Sequence, residues 1–289
     1  MTSETLDVAI CQLTSVDDLK INVDSILRLL KPLEPHPPQL VCLPENCLYM
    51  RVRDGQSIPA IALDNPELRR LRNWSRATGA VLHLGSVAVS CPNADDAEQK
   101  LYNSTLILRP DGSIEDAYRK IHLFDVDVTG HRRVRESDFF ARGERPTLFE
   151  VGGWTIGNTI CYDLRFAELY SVYAKAQVDA VVVPSAFLVP TGQAHWHLLL
   201  RARAIESQFY VLAAAQGGEH GSSDGAGRQT YGHSLVVGPW GEVLQEVSVE
   251  DMAAGRRVLR LQLSRDRLRS VRAQIPMADH RCMTAFSLQ

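Results

Sequence analysis

Across its 289 residues the chain has no apolar run near the roughly 20 residues that a membrane-spanning helix needs. Met1 to Leu6 is mostly polar, where an export leader would show charge followed by an apolar stretch. No membrane association is expected, and the cytoplasm is the expected location. Charge of one sign is lacking too: 31 basic residues against 34 acidic ones leave −3, with no long block of either, which argues against a nucleic-acid partner. Cysteine is sparse, at positions 11, 42, 47, 91, 161 and 282, and shows no CxxC spacing, so reduced thiols are expected rather than a disulfide framework. There is no HExxH pattern, and His195 and His197, two apart on a helical stretch, point in different directions. Neither a metal nor any other cofactor is expected, and the partner is expected to be a small molecule.

What is present is ordinary soluble-protein composition, 45% hydrophobic and 22% charged, arranged as alternating strand and helix patterns. Leu6 to Leu13 reads as a strand, Asp17 to Leu30 as a helix, and Gln39 to Leu43 as a short buried strand closed by Pro44. Asn65 to Thr78 forms a second helix with Asn65-Pro66 as cap and first turn, and Ala80 to Ser90 a strand. Leu101 to Arg109 and Ser113 to Tyr118 make a hairpin around Pro110-Asp111-Gly112. The series starts again near Trp154, with a buried strand at Val178 to Pro184, a helix at His195 to Ser207, a surface loop at Gly217 to Gln229, and closing strands at Tyr231 to Val237, Glu242 to Val249 and Arg257 to Leu263. Two copies of a strand-helix-strand series with no linker between them predict an α/β fold in which two sheets stack with helices outside both, a four-layer α-β-β-α sandwich. One domain is expected over 1–265, with 266–289 a C-terminal helix and tail at a subunit interface.

Three residues stand where such a fold carries chemistry. Glu45 follows the Pro44 that ends an apolar strand, Lys120 follows the hairpin, and Cys161 ends the apolar run Thr155 to Ile160 just before a polar, helix-opening segment. A thiolate attacks, an adjacent ammonium lowers the thiol pKa and steadies an oxyanion, and a partly buried glutamate moves the protons. Taken singly, each has a plain structural role: loop acid, hairpin-end charge, core thiol. The stretch from Ile121 to Glu144, long for a connection, adds Arg132, Arg133, Arg135 and Arg142.

The flanking motifs LPEN (Leu43 to Asn46), YRKIHLFDVDV (Tyr118 to Val128), RESD (Arg135 to Asp138), ICYDLRF (Ile160 to Phe166), HWHLLLRARAIES (His195 to Ser207) and YGHSLVV…PWGEVL (Tyr231 to Leu244) resemble those of the nitrilase, or carbon–nitrogen hydrolase, superfamily. The resemblance covers nearly the whole chain. It implies the same four-layer fold, a Glu45-Lys120-Cys161 triad, a second glutamate at Glu136, and a homodimer. Nitrilases proper typically carry Trp-Glu after the nucleophile, whereas Cys161 is followed by Tyr162-Asp163, as in the Nit-type amidases. Within that group the motifs look most like those of deaminated glutathione amidases, with ω-amidases as near relatives. Asn158-Thr159, Ala167 and Ser207 depart from the common pattern without removing a triad side chain.

These readings predict a cysteine amidase acting through a thioester on a carboxylated amide, deaminated glutathione first and α-ketoglutaramate second. Tyr162 is expected to offer a backbone N–H to the oxyanion, and Arg135, Arg165 and Tyr49 to contact substrate. Tyr49, Trp196 and Tyr231 are candidates for the pocket wall, with core packing the alternative for each. The competing function is a catalytically silent binding module of the same fold, which the presence of all three triad residues argues against.

Overall fold

A computed structural model describes residues 3–53, 55–91, 100–127, 134–221 and 227–282. Two mixed sheets dominate it. In the first, strands run in the spatial order Val258–Ser264, Thr5–Cys11, Leu40–Cys42, Val81–Ser90, Leu101–Leu108, Ile114–Arg119, with Phe140–Ala141 beside Leu101–Leu108. In the second the order is Val243–Glu246, Leu235–Val237, Tyr210–Ala213, Ala180–Val182, Trp154–Asn158, Leu148–Val151. Each sheet has three adjacent parallel strands at its centre and antiparallel strands outside them.

The central strands are apolar on both faces because both faces are covered. Val8 and Ile10 point into the interface between the sheets, where they meet Ile156, Val182 and Leu212 of the second sheet. Their neighbours Ala9 and Cys11 point the other way, onto Val23, Ile26 and Leu30 of the helix Leu19–Leu30 and Leu68 and Leu71 of the helix Pro66–Thr78. The second sheet repeats the arrangement, with Val181 and Val183 against Tyr170 and Tyr173 of Ala167–Lys175 and Leu200 and Ala204 of Val189–Ser207. Helix, sheet, sheet, helix is the expected layering.

Local chemistry sets the helix ends. Asp18 accepts from the Ile21 N–H at 2.8 Å and starts the first helix two residues later than the apolar pattern predicts. Asn65 caps the second, and Gly79, at φ +76, ends it. The helix Arg265–Gln274 lays Leu268 and Val271 onto the body of the fold, and Leu268 shares the core between the sheets. Among the described residues no helix is long and apolar enough to cross a membrane. One expected loop is otherwise: Gly217–Gly221 and Gly227–Tyr231 pair as an antiparallel hairpin. Its glycines masked the strand pattern, and Gly217 accepts no side chain, since a Cβ there would lie 2.8 Å from the Gly232 Cα.

His83 is wholly buried between the sheets, its Nε2 3.1 Å from Asn158 Oδ1. Burial pushes its pKa down from 6.5 to about 4. Unfolded, the ring takes up a proton near 6.5; folded, it stays neutral until about 4, so the unfolded state binds more protons between these values. Stability present above 6.5 is therefore lost as pH falls toward 4, by about 2 kcal/mol for this group by about pH 5. Urea unfolding of wild type and His83→Gln at neutral pH and at about pH 5 should show the variant losing less stability by about that amount.

Candidate active site

The site lies where the two sheets abut at their strand ends. Leu40–Cys42 runs out into Leu43, Pro44 and the buried Glu45, while Asn158 runs on through Thr159 and Ile160 to the buried Cys161. Gly85 permits this closeness, because a Cβ on it would sit 2.1 Å from the Leu43 carbonyl oxygen and 2.3 Å from the Pro184 Cβ. Pro184 in turn accepts from the Cys161 N–H at 2.8 Å.

Cys161 adopts φ +48, an uncommon conformation for a residue with a side chain, and opens the short 3-10 helix Cys161–Arg165. Asp163, fully buried, holds this elbow. Its Oδ2 accepts from the Ile160 N–H at 2.9 Å and the Tyr118 hydroxyl at 2.8 Å. Its Oδ1 accepts from the His122 N–H at 3.0 Å, and His122 Nδ1 lies 2.7 Å from the same oxygen, which calls for the Nδ1–H form. The His122 ring stacks on Phe166 at 3.7 Å. Burial, reinforced by the Asp163 charge, keeps the Tyr118 hydroxyl protonated far above the usual tyrosine range, so it remains a donor.

Lys120 is the hub. Its Nζ donates to Glu45 Oε1 at 2.8 Å and to Glu136 Oε1 and Oε2 at 3.0 and 2.8 Å. Asn103 Nδ2 reaches the same two carboxylates, at 2.9 Å from Glu136 and 3.3 Å from Glu45, and the Phe124 N–H donates to Glu136 at 2.7 Å. Burial opposes the lysine's charge, but Glu136 and then Glu45 outweigh it and hold the ammonium well above the ordinary lysine value. For Cys161 the balance runs the other way. Burial, and next the Glu45 charge, push the thiol well above its ordinary range, and Lys120 pulls it down only in part. The sequence predicts a thiol lowered by Lys120; here two carboxylates already engage that ammonium, and burial with the Glu45 charge holds the group on the thiol side.

Glu45, Lys120, Glu136 and Cys161 share the floor of a cleft of about 780 Å³, its open mouth included. Tyr49, Tyr162 and Arg165 line it as well. The Tyr49 hydroxyl donates to the Ser57 carbonyl at 3.2 Å, and Arg165 Nη1 lies 3.2 Å from His195 Nδ1. Arg135 does not line the cleft: its side chain is turned to solvent, 4.0 Å from Asp125. Arg132 and Arg133 lie outside the described residues. Among the described residues, the arginines at the cleft are Arg51, Arg165 and Arg228, of which the first and third carry no motif that singles them out. Trp196 is core, packed 4.9 Å from Phe187 rather than at the wall, and Tyr231 stacks on His233.

Two supports escaped the sequence reading. Asn103 lies in the strand Leu101–Leu108 within three successive polar residues, Asn103, Ser104 and Thr105, and that polar run inside an apolar strand was the available signal. Gln216 donates to the Glu45 carbonyl at 2.9 Å and to Ser15 Oγ at 2.8 Å, tying the Glu45 turn to the second sheet's side of the molecule.

A thiol, an ammonium and two carboxylates gathered at the joined strand ends of an α-β-β-α sandwich are groups that can do hydrolytic chemistry. The carbon–nitrogen hydrolase family matches residues 7–273, and the chain belongs to it. A deaminated glutathione amidase of Yersinia enterocolitica is 34% identical over 276 residues, 95% of this chain and 92% of that protein. An omega-amidase of Xenopus tropicalis is 35% identical over 270 residues, 93% and 92% of the two chains. The chain spans 60% of the Drosophila melanogaster nitrilase and fragile histidine triad fusion protein, with 35% identity over 291 residues and 98% of this chain covered. The crystal structure of the Caenorhabditis elegans NitFhit protein superposes with a TM-score of 0.84 at 33% identity, over 99% of this chain and 67% of that one.

Asp163→Asn tests the elbow. Replacing one carboxylate oxygen by an NH2 sets a donor against the Ile160 and Tyr118 donors or against those of His122, whichever way the amide turns. Urea unfolding should show a loss of about 2 kcal/mol, the scale of a buried charge-assisted hydrogen bond.

Proposed function

We propose that this protein is an amidase that cleaves the amide of a carboxylated small molecule, with Cys161 as nucleophile, Glu45 as proton carrier and Lys120 as the oxyanion's cation. The observation that carries this reading is Lys120 Nζ held between Glu45 and Glu136 beside the Cys161 thiol. Because the thiol rests protonated, attack requires simultaneous proton transfer. Glu45 takes the Sγ proton as Sγ bonds to the amide carbon, and the carbonyl π electrons move onto oxygen, which meets Lys120 Nζ and the Tyr162 backbone N–H at the opening of the 3-10 helix. The tetrahedral species collapses, the carbon–nitrogen bond breaks, and Glu45 gives its proton to the leaving amine. A thioester remains. Glu45 then takes a proton from water as the water oxygen attacks the thioester carbon, and Cys161 leaves and recovers the proton, releasing the acid. Glu136 fixes Lys120 and orients the amide.

Deaminated glutathione is the substrate we place first and α-ketoglutaramate second. Relatives named for deaminated glutathione and as an omega-amidase match at nearly equal identity, so overall similarity does not rank them. Carboxylate recognition is assigned to Arg51, Arg165 and Arg228 at the cleft, since a guanidinium holds a carboxylate through two charge-assisted hydrogen bonds. A homodimer is proposed through the helix Ala167–Lys175, where Val172 exposes an apolar side chain, together with the C-terminal segment. Six free thiols suit a reducing compartment such as the cytoplasm.

Cys161→Ala should abolish turnover while leaving the urea midpoint near wild type. Glu45→Gln should lower kcat by about 100-fold or more, since an amide carries no proton between the partners. Wild-type turnover in the cysteine variant would end the proposal. Arg51→Ala and Arg165→Ala should each lower kcat/KM on the carboxylated amides by about 10- to 100-fold, and leave a neutral aliphatic amide of similar length unaffected. Equal losses on the neutral amide would remove these arginines from carboxylate recognition.

A further inference from the structure

On the outer side of the second sheet, away from the thiol cluster, three side chains from separate stretches converge. His197 comes from the helix Val189–Ser207, His233 from the turn before Leu235–Val237, and Glu246 from the end of Val243–Glu246. His197 Nε2 lies 3.0 Å and His233 Nδ1 2.5 Å from the same oxygen, Glu246 Oε1, and all three atoms lie within 4.8 Å of one another. Nothing in the proposed amide chemistry uses them.

The surroundings hold this geometry in place. His233 has φ +58 and follows Gly232 at φ +75, so two consecutive left-handed residues turn the ring toward Glu246. The His233 carbonyl accepts from Trp196 Nε1 at 2.8 Å, and its ring stacks on Tyr231 at 4.4 Å. Of the charged groups nearby, Glu250 on Val249–Ala253 adds a second negative charge within electrostatic reach of His233. All three side chains are about one-fifth to one-third exposed, which leaves a solvent-facing approach.

We propose that His197, His233 and Glu246 form a binding site for a divalent first-row transition ion such as zinc. Two imidazoles and one carboxylate are the ligand set of three-ligand zinc sites, and the donor types favour zinc, copper, nickel or cobalt over the oxygen-seeking calcium and magnesium. Donors about 2.1 Å from a tetrahedral ion are about 3.4 Å apart, so the pair at 3.0 Å needs little adjustment and the pair at 2.5 Å opens by under about 1 Å. The fourth position faces solvent and takes water. On binding, each ring presents its lone pair to the ion and carries its N–H on the other ring nitrogen, any surplus proton passing to water, and the ion ties the helix Val189–Ser207 to the Leu235–Val237 and Val243–Glu246 strands. Trp196, between His195 and His197, packs on Phe187 of the cleft wall, so the ion stiffens that wall from behind.

Cobalt(II) provides the test, since its absorption reports its ligands. The background is the full chain carrying Cys161→Ala, stripped of metal, which removes the active-site thiol as a competing ligand. We expect saturation near one equivalent, visible bands without sulfur-to-cobalt charge transfer, and displacement by zinc. His197→Ala and Glu246→Gln, the latter keeping a hydrogen-bond acceptor for both rings, should each weaken binding by at least about tenfold, whereas His36→Ala, on the exposed surface, should not. Circular dichroism establishes that each variant is folded before titration. A sulfur charge-transfer band, no saturable binding up to millimolar cobalt, or unchanged affinity in folded His197→Ala and Glu246→Gln would each overturn the assignment.

Discussion

The site depends on one ammonium ion kept out of water. Lys120 is almost wholly buried, and the two carboxylates that grip it make its charge tolerable there, while the lysine does the same for them. Removing Lys120 would leave two carboxylates facing each other out of water with no cation between them. The neighbouring polar residues follow from that constraint. Asn103 and the Phe124 N–H occupy further carboxylate lone pairs, and Gln216 anchors the turn that carries Glu45. The same charge balance explains why Cys161 rests as a thiol: an ammonium shared between two anions has little field left for a third.

The architecture serves that balance by bringing chain ends together. Each sheet contributes a parallel trio whose carboxyl ends point to a common edge, the usual address for chemistry in α/β folds. Stacking two such sheets face to face brings a residue after one trio against a residue after the other. Glu45, Lys120 and Cys161 stand far apart in sequence and each follows directly on an extended run, whereas Glu136 comes from the long connection between Lys120 and Glu144.

The positions of Glu45, Lys120 and Cys161 are legible in the sequence because each ends an extended run abruptly: at Pro44, at the hairpin's close, and at the Ile160-Cys161 step. The double strand-helix series is equally plain, and with it the layering. The supporting contacts are not. Asn103 and Gln216 look like any polar residues until their burial is known, and no spacing rule links either to Glu45. Arg135 misleads because it sits one residue from Glu136, yet it ends the short strand Val134–Arg135 while Glu136 opens a 3-10 turn, and its guanidinium goes to Asp125 and solvent. Arg51 and Arg228 reach the cleft from remote segments that only the tertiary fold brings near. The AHWH stretch divides likewise: His195 turns to Arg165, and His197 meets partners supplied by the following strands.

Gly85 has no functional group, yet it acts as a spacer gauge for the reaction. Glu45 rides on the segment that begins at Leu43, and the Cys161 backbone is fastened to Pro184, so both groups are set against the same empty hydrogen-sized gap. A single methyl group there would wedge between the two sheets and move donor and acceptor apart as a unit, with every reacting side chain still present. The separation between Glu45 and Cys161 is thus maintained by an absence of atoms, at a position that would look inert in any census of reactive groups.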